Sequence, residues 1–115
     1  ITVFGDGKQS RCFTDVADVV EGFIKLINNK KAMGRIFNIG NDEEITIEEL
    51  AHKIKGLTNS RSKIEHIDYN EAYEEGFEDM MRRVPDLTKI KNLIGYKPKY
   101  NLEKILDRIV AYFEK

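Results

Sequence analysis

Apolar positions along the chain change period several times, and each change marks an element. Ile1-Thr2-Val3-Phe4 is a short run with β-branched residues, closed by Gly5-Asp6-Gly7, whose glycines can take the positive φ angles of a tight turn. Arg11 to Thr14 reads as a second short strand. From Asp15 the spacing becomes helical: Val16, Val19, Val20, Phe23, Ile24 and Ile27 share one face. Thr14 or Asp15 supplies the cap, and Asn28-Asn29-Lys30-Lys31 ends this helix with the positive charge its dipole favours. Arg35 to Ile39 reads as a strand bounded by Gly34 and Gly40. Thr46-Ile47-Glu48-Glu49 is a capping box, and the helix it opens buries Leu50, Ile54 and Leu57.

Lys63 to Asp68 alternates around Ile64 and Ile67 as a half-exposed strand. Tyr69 to Arg83 lacks a clean period and reads as a long functional loop with a helical turn. Pro85-Asp86 opens a helix carrying Leu87, Ile90, Leu93 and Ile94 and ended by Gly95, the usual asymmetry of proline at the start and glycine past the end. Beyond Pro98, Asn101 caps a last helix with Leu102, Ile105, Leu106, Ile109, Val110 and Phe113 inward. The pattern predicts a mixed α/β (α+β) chain of about four helices and four short strands, without internal repeat or linker.

At 115 residues the chain reads as a single domain over residues 1–115, and its 41% hydrophobic and 34% charged content excludes a disordered one. A net charge of −1, with both signs interleaved along solvated faces, gives no reason to expect nucleic acid or an anionic membrane as a partner. No apolar run approaches the roughly 18–20 residues of a membrane span. Cys12 stands alone, which rules out a disulfide framework and makes a reducing, cytoplasmic location the expectation. The opening Ile-Thr-Val-Phe-Gly, with no initiator Met, reads as the middle of a strand, so the chain is expected to be a fragment.

The sequence contains no glycine fingerprint after an opening strand, no P-loop, no metal-ligand cluster and no nucleophile elbow. His52 and His66 read as surface or partly buried structural residues, and Cys12 as a small buried hydrophobe. What remains is a binding constellation of Arg11, Asn38 and Arg83, each at a strand end or in a loop. Arg82 and Arg83 stand just ahead of Val84-Pro85-Asp86, and two planar, permanently charged guanidinium groups there suit a phosphate or diphosphate. Plainer readings stay open at this level: Arg11 paired with Asp15 or Asp18, Asn38 bonded to a turn, Arg82 and Arg83 as solvated loop charges. The residues alone lead to an anion-binding domain.

Six segments in order carry a resemblance: Ile1 to Arg11, Phe13 to Val20, Ile36-Phe-Asn-Ile-Gly40, Thr46-Ile-Glu-Glu-Leu-Ala51, Arg82-Arg83-Val-Pro-Asp86 and Gly95-Tyr-Lys-Pro98, before a helix closing on Tyr112-Phe113. Together they resemble the C-terminal substrate-binding domain of the extended short-chain dehydrogenase/reductase family, the NAD-dependent nucleotide-sugar epimerases, dehydratases and decarboxylases. The resemblance implies that an absent N-terminal Rossmann domain holds NAD and the catalytic Tyr-x-x-x-Lys pair, that this chain binds a nucleotide-diphosphate sugar, and that the parent enzyme is a homodimer. It implies that Arg11 and Arg83 grip the diphosphate with help from Asn38, that Gln9 touches the nucleotide, and that Tyr73 and Phe77 pack near nucleotide or sugar. Arg83 also stands where the related UDP-glucuronic acid decarboxylase has its proton donor. The wording looks most like the sugar epimerase branch, of the UDP-glucose 4-epimerase type. Cys12-Phe13-Thr14 departs from the family's usual residues, and a UDP-glucuronate decarboxylase or dTDP-glucose 4,6-dehydratase is the alternative. The other classes considered are a free-standing, non-catalytic module for a phosphorylated ligand and a helical interaction domain. On the enzyme reading the isolated chain is expected to be inactive and to expose an apolar patch prone to self-association.

Overall fold

The computed structural model describes residues 1–72 and 79–114. In chain order these form β1 (Thr2–Phe4), β2 (Ser10–Cys12), α1 (Val16–Ile27), β3 (Glu44–Thr46), α2 (Ile47–Leu57), β4 (Glu65–Ile67), α3 (Tyr69–Ala72), β5 (Arg82–Arg83), α4 (Thr88–Ile94) and α5 (Leu102–Phe113), with a 3-10 turn at Lys30–Ala32. The class is mixed α/β, as the pattern predicts. The residues divide into two compact units, each drawn from two stretches of chain: Ile1–Arg11 with Glu44–Arg83, and Cys12–Glu43 with Val84–Lys115.

The first unit is built on parallel pairings. β1 runs beside β4, with Thr2 opposite Glu65, Val3 opposite His66 and Phe4 opposite Ile67. In a second sheet of order β3-β2-β5, β2 is parallel to β5, with Ser10 opposite Arg82 and Arg11 opposite Arg83. Gly5 and Gly7, at φ +70° and +71°, let the chain turn between β1 and β2. The carbonyls of Gly7 and Gln9 then accept from the N–H groups of Glu48 and Ile47, both at 3.0 Å, so this turn caps α2. The capping box completes the helix start: Glu49 N–H donates to Thr46 Oγ1 at 3.2 Å and Thr46 N–H to Glu49 Oε2 at 3.0 Å. Val3, Ile45 and Ala51 are buried beneath it.

In the second unit Asp15 caps α1 by accepting from Ala17 N–H at 2.8 Å, and its other oxygen takes Arg108 of α5 at 2.6 Å. Asp18, only 2% exposed, has no ion-pair partner among the described residues; it accepts from the backbone N–H groups of Lys99 and Tyr100 at 3.0 and 3.1 Å. These charge-assisted bonds fix the connection between α4 and α5 against α1. Leu87, Ile90 and Tyr96 form the core, with Leu26, Phe37, Ile39 and Ile94 packed around them. The Tyr96 hydroxyl donates to the Gly40 carbonyl at 2.8 Å, and burial, helped by the nearby Asp18 charge, pushes its pKa up. Gly95, at φ +63°, ends α4 in the left-handed region.

Several expectations need correction. Arg35 to Ile39 forms no ladder: its apolar alternation survives, with Phe37 and Ile39 half-buried and Ile36 85% exposed, but no strand lies alongside among the described residues. Alternation specifies a strand's faces, whereas a strand exists only when a neighbour supplies hydrogen bonds. Arg82–Arg83, expected in a loop, is a strand because β2 does supply them. Among the described residues the four expected helices are present, α3 is the helical turn expected in the stretch after Asp68, and β3 was unforeseen. The helix after Pro85 begins at Thr88, two residues late, because Asp86 Oδ1 turns back to the Thr88 N–H at 2.9 Å. The apolar row of α1 is largely uncovered, with Val16 at 71% and Ile27 at 82% exposed. The end of α5 is uncovered too, as Ile109 and Phe113 are exposed; Leu57 is exposed, and Cys12 is half-buried.

Replacing Ile90 by Ala, at a site with no solvent exposure, is expected to cost about 2–5 kcal/mol, read as a lower denaturation midpoint in urea. Glu21 offers a pH test. Bonds from Lys99 and then Lys25 lower its pKa from 4.5 to about 2. A carboxylate depressed in the fold stabilises it above the unfolded value, and that contribution is lost as pH falls from 4.5 towards 2. Glu21→Gln is therefore expected to flatten the acid limb of the stability curve, measured as unfolding midpoints at pH 7 and pH 3.

Candidate anion-binding site

The ladder between β2 and β5 does what neither segment does alone. Residues opposite each other in a parallel pair project to the same face, and successive residues to opposite faces. Arg11 and Arg83 therefore share one face of the sheet, while Ser10 and Arg82 share the other.

On the Ser10 face the charges are matched. The Ser10 hydroxyl donates to Glu44 Oε1, and Arg82 holds the same carboxylate through Nε at 3.0 and 3.2 Å and Nη2 at 3.0 Å. Ser10 first, then Arg82, keeps the Glu44 carboxyl below its usual pKa. Arg82 is thus a structural cation that ties β5 to β3.

On the other face the two arginines differ. Arg11 is half-buried; its Nη1 donates to the carbonyls of Ser10 and Met80, both at 2.7 Å, and its Nη2 to Asp79. Of the five N–H donors of a guanidinium, Nε–H and one Nη2–H remain for a ligand. Arg83 is exposed, and its side chain has neither ion pair nor hydrogen bond among the described residues. A fixed arginine and an uncommitted one, on adjacent strands and the same face, leave a net positive charge that an anion with two or more oxygens can bridge. The sequence alternative that paired Arg11 with Asp15 or Asp18 does not hold, since those carboxylates serve Arg108 and the Lys99–Tyr100 backbone.

The remaining candidates fall elsewhere. Gln9 is 5% exposed, and its amide donates inward to the Phe4 carbonyl and the Tyr69 hydroxyl, both at 2.9 Å, so its side chain braces β1 and α3. Asn38 belongs to the second unit, where it is exposed and donates to the Asp86 carbonyl at 3.3 Å. Tyr73 and Phe77 lie outside the described residues. His52 and His66 both turn Nε2 to Glu48, at 3.0 and 2.8 Å; His66, then His52, lowers the Glu48 pKa. Asp79, which reaches Arg11 from the segment ahead of β5, and Tyr69, which bonds Asp79, escaped the sequence reading because neither follows a recognisable period.

A dinucleotide needs a strand-to-helix turn whose helix N-terminus has free N–H groups for the pyrophosphate. β3 runs straight into α2, but the N–H groups of Ile47, Glu48 and Glu49 are already taken by Gln9, Gly7 and Thr46. The described residues do not fit NAD there. No described helix is long and apolar enough to cross a membrane, and no cluster of metal-ligating side chains occurs among the described residues.

The model of the GDP-mannose 4,6 dehydratase family matches residues 1–109. A UDP-N-acetyl-alpha-D-glucosaminuronate decarboxylase of Bacillus cytotoxicus is 41% identical over 115 residues, all of this chain and 36% of the relative. The UDP-glucose 4-epimerase of Thermotoga maritima, solved with UDP-glucose, overlays 99% of this chain on 34% of its own with a TM-score of 0.85 at 28% identity. The dTDP-glucose 4,6-dehydratase of Bacillus anthracis, solved with NAD, gives 0.82 at 25% identity over 98% of this chain and 34% of its own. The chain therefore spans about a third of the length of these proteins. It belongs to the NAD-dependent epimerase/dehydratase family of extended short-chain dehydrogenases/reductases.

The differing commitments of the three arginines predict their chemistry. A dicarbonyl reagent selective for arginine is expected to modify Arg83 before Arg82 and Arg11 last, as read by peptide mass mapping over time.

Proposed function

We propose that this chain is the nucleotide-sugar-binding part of a longer NAD-dependent enzyme of that family, with Arg11 and Arg83 holding the diphosphate. The observation that carries the reading is the shared rung of Arg11 and Arg83, one guanidinium anchored and the other uncommitted. Such a clamp grips the part of the ligand that does not react, and that binding energy orients the sugar for chemistry elsewhere. Asn38, and Tyr73 and Phe77 beyond the described residues, are proposed to complete the substrate site. Gln9 is proposed to act from behind, as a brace. NAD, and the groups that react with the sugar, would belong to the part of the protein outside this chain. The parent enzyme is proposed to be a cytoplasmic homodimer.

The family's relatives include epimerases, dehydratases and decarboxylases, and two of these reactions have a specific observation in their favour. The epimerase reading rests on the sequence wording and on the overlay with the Thermotoga maritima enzyme. Decarboxylation of a UDP-uronic acid is favoured by the higher identity to the Bacillus cytotoxicus relative, 41% against 28%. On that reading Arg83, whose side chain has no partner among the described residues, is the group that would serve as the proton donor in place of, or in addition to, its hold on the diphosphate. Incubating the whole protein with NAD and either UDP-glucose or a UDP-uronic acid, and following the sugar by NMR, separates a C4 epimer from release of carbon dioxide.

In the whole protein, Arg83→Ala is expected to raise the dissociation constant for UDP by roughly ten- to a hundredfold, measured by calorimetry. Unchanged binding would overturn the clamp. The isolated chain, offering one wall of the cleft, is expected to bind UDP-glucose weakly and to show no turnover; low-micromolar affinity or epimerase activity in purified material would contradict this.

A further inference from the structure

A line of hydrogen bonds in the first unit ends on Arg11. It starts at Gln9, whose amide spends its donors on the Phe4 carbonyl and the Tyr69 hydroxyl. Having accepted from Gln9, the Tyr69 hydroxyl gives its own proton to Asp79 Oδ2 at 3.2 Å. The other Asp79 oxygen receives Arg11 Nη2. The Tyr69 ring is held from below as well, since any side chain at Gly5 would strike it. Each donor and acceptor in this line has one consistent direction, and the Arg11 and Asp79 side chains at its end are 18% and 28% exposed.

We propose that Asp79 is a positioning residue for Arg11. The inference rests on the reading of Arg11 as a diphosphate ligand. An arginine side chain is long and has many rotamers, and Arg83 on the adjacent strand carries a like charge that pushes it away. Asp79 counters both effects. It balances the Arg11 charge, and with the Ser10 and Met80 carbonyls it fixes the guanidinium plane so that Nε–H and the second Nη2–H are presented to the ligand. Tyr69 and Gln9 fix Asp79 in turn, which gives Gln9 an effect on nucleotide binding without touching the nucleotide.

The test is calorimetric titration of the whole protein with UDP, comparing wild type, Asp79→Asn, Asp79→Glu, Arg11→Lys and the Asp79→Asn/Arg11→Lys double variant. Asp79→Asn is expected to weaken UDP binding roughly tenfold or more, Asp79→Glu to recover part of the loss, and the double variant to bind no worse than the weaker single one. Tyr69→Phe keeps the ring and removes the hydroxyl that accepts from Gln9 and donates to Asp79; it is expected to give a smaller loss of UDP binding in the same direction. Wild-type or tighter binding by Asp79→Asn, or losses that simply add, would overturn the proposal and leave the clamp intact. A wild type that binds no UDP overturns both readings, and that shows before any variant is compared.

Discussion

The parallel pairing of β2 with β5 is the constraint from which the candidate site follows. It joins two segments far apart in the chain and fixes them in register, Ser10 to Arg82 and Arg11 to Arg83. The pleat then sorts two neighbouring arginines that are chemically identical in sequence. One is delivered to a carboxylate on β3 and becomes part of the scaffold, and the other is delivered to the face of Arg11. A slip of one residue would exchange their roles. The matched charges behind the sheet, Ser10, Glu44 and Arg82, help to hold that register, so the structural face and the ligand face are two sides of the same few residues.

Polar groups do much of the fastening in both units, because few side chains are fully buried. Ile90 and Val3 are the large side chains with almost no exposure, and the chain relies on carboxylates that accept backbone N–H groups to fix its connections. Asp18 ties down Lys99 and Tyr100, Glu43 accepts from Leu102 N–H at 3.2 Å, and Asn41 links its own turn to the Tyr100 carbonyl. A buried acceptor such as Asp18 gains from every N–H it satisfies and is costly to remove. The same economy appears in the first unit, where the turn between β1 and β2 supplies the carbonyls that close the start of α2.

The helices were legible because their information is local. Asp15, Thr46 and Asn101 cap the helices at the positions their side-chain chemistry dictates, and Gly95 stops α4 where a positive φ is needed. Strand assignment was poorer, since a strand is defined by its neighbour. Arg35 to Ile39 alternates well and pairs with nothing described, whereas Arg82–Arg83 has no alternation to read and is paired. Helical periodicity likewise located the apolar row of α1 without revealing that Val16 and Ile27 stand open.

For the site, the sequence by itself determined the ingredients: arginines at positions 11 and 83, glycines to turn the chain, and ordered motifs that carried the family resemblance. Permanent charge and planar donors are properties of the residue type and need no fold to be stated. The tertiary structure decided which arginine is spent and which is free, that Asp79 faces Arg11, and that Gln9 points inward. Those outcomes depend on distances between segments remote in sequence, and electrostatic and hydrogen-bond energies fall off over a few ångströms. No local pattern encodes such distances; only the register of the paired strands sets them.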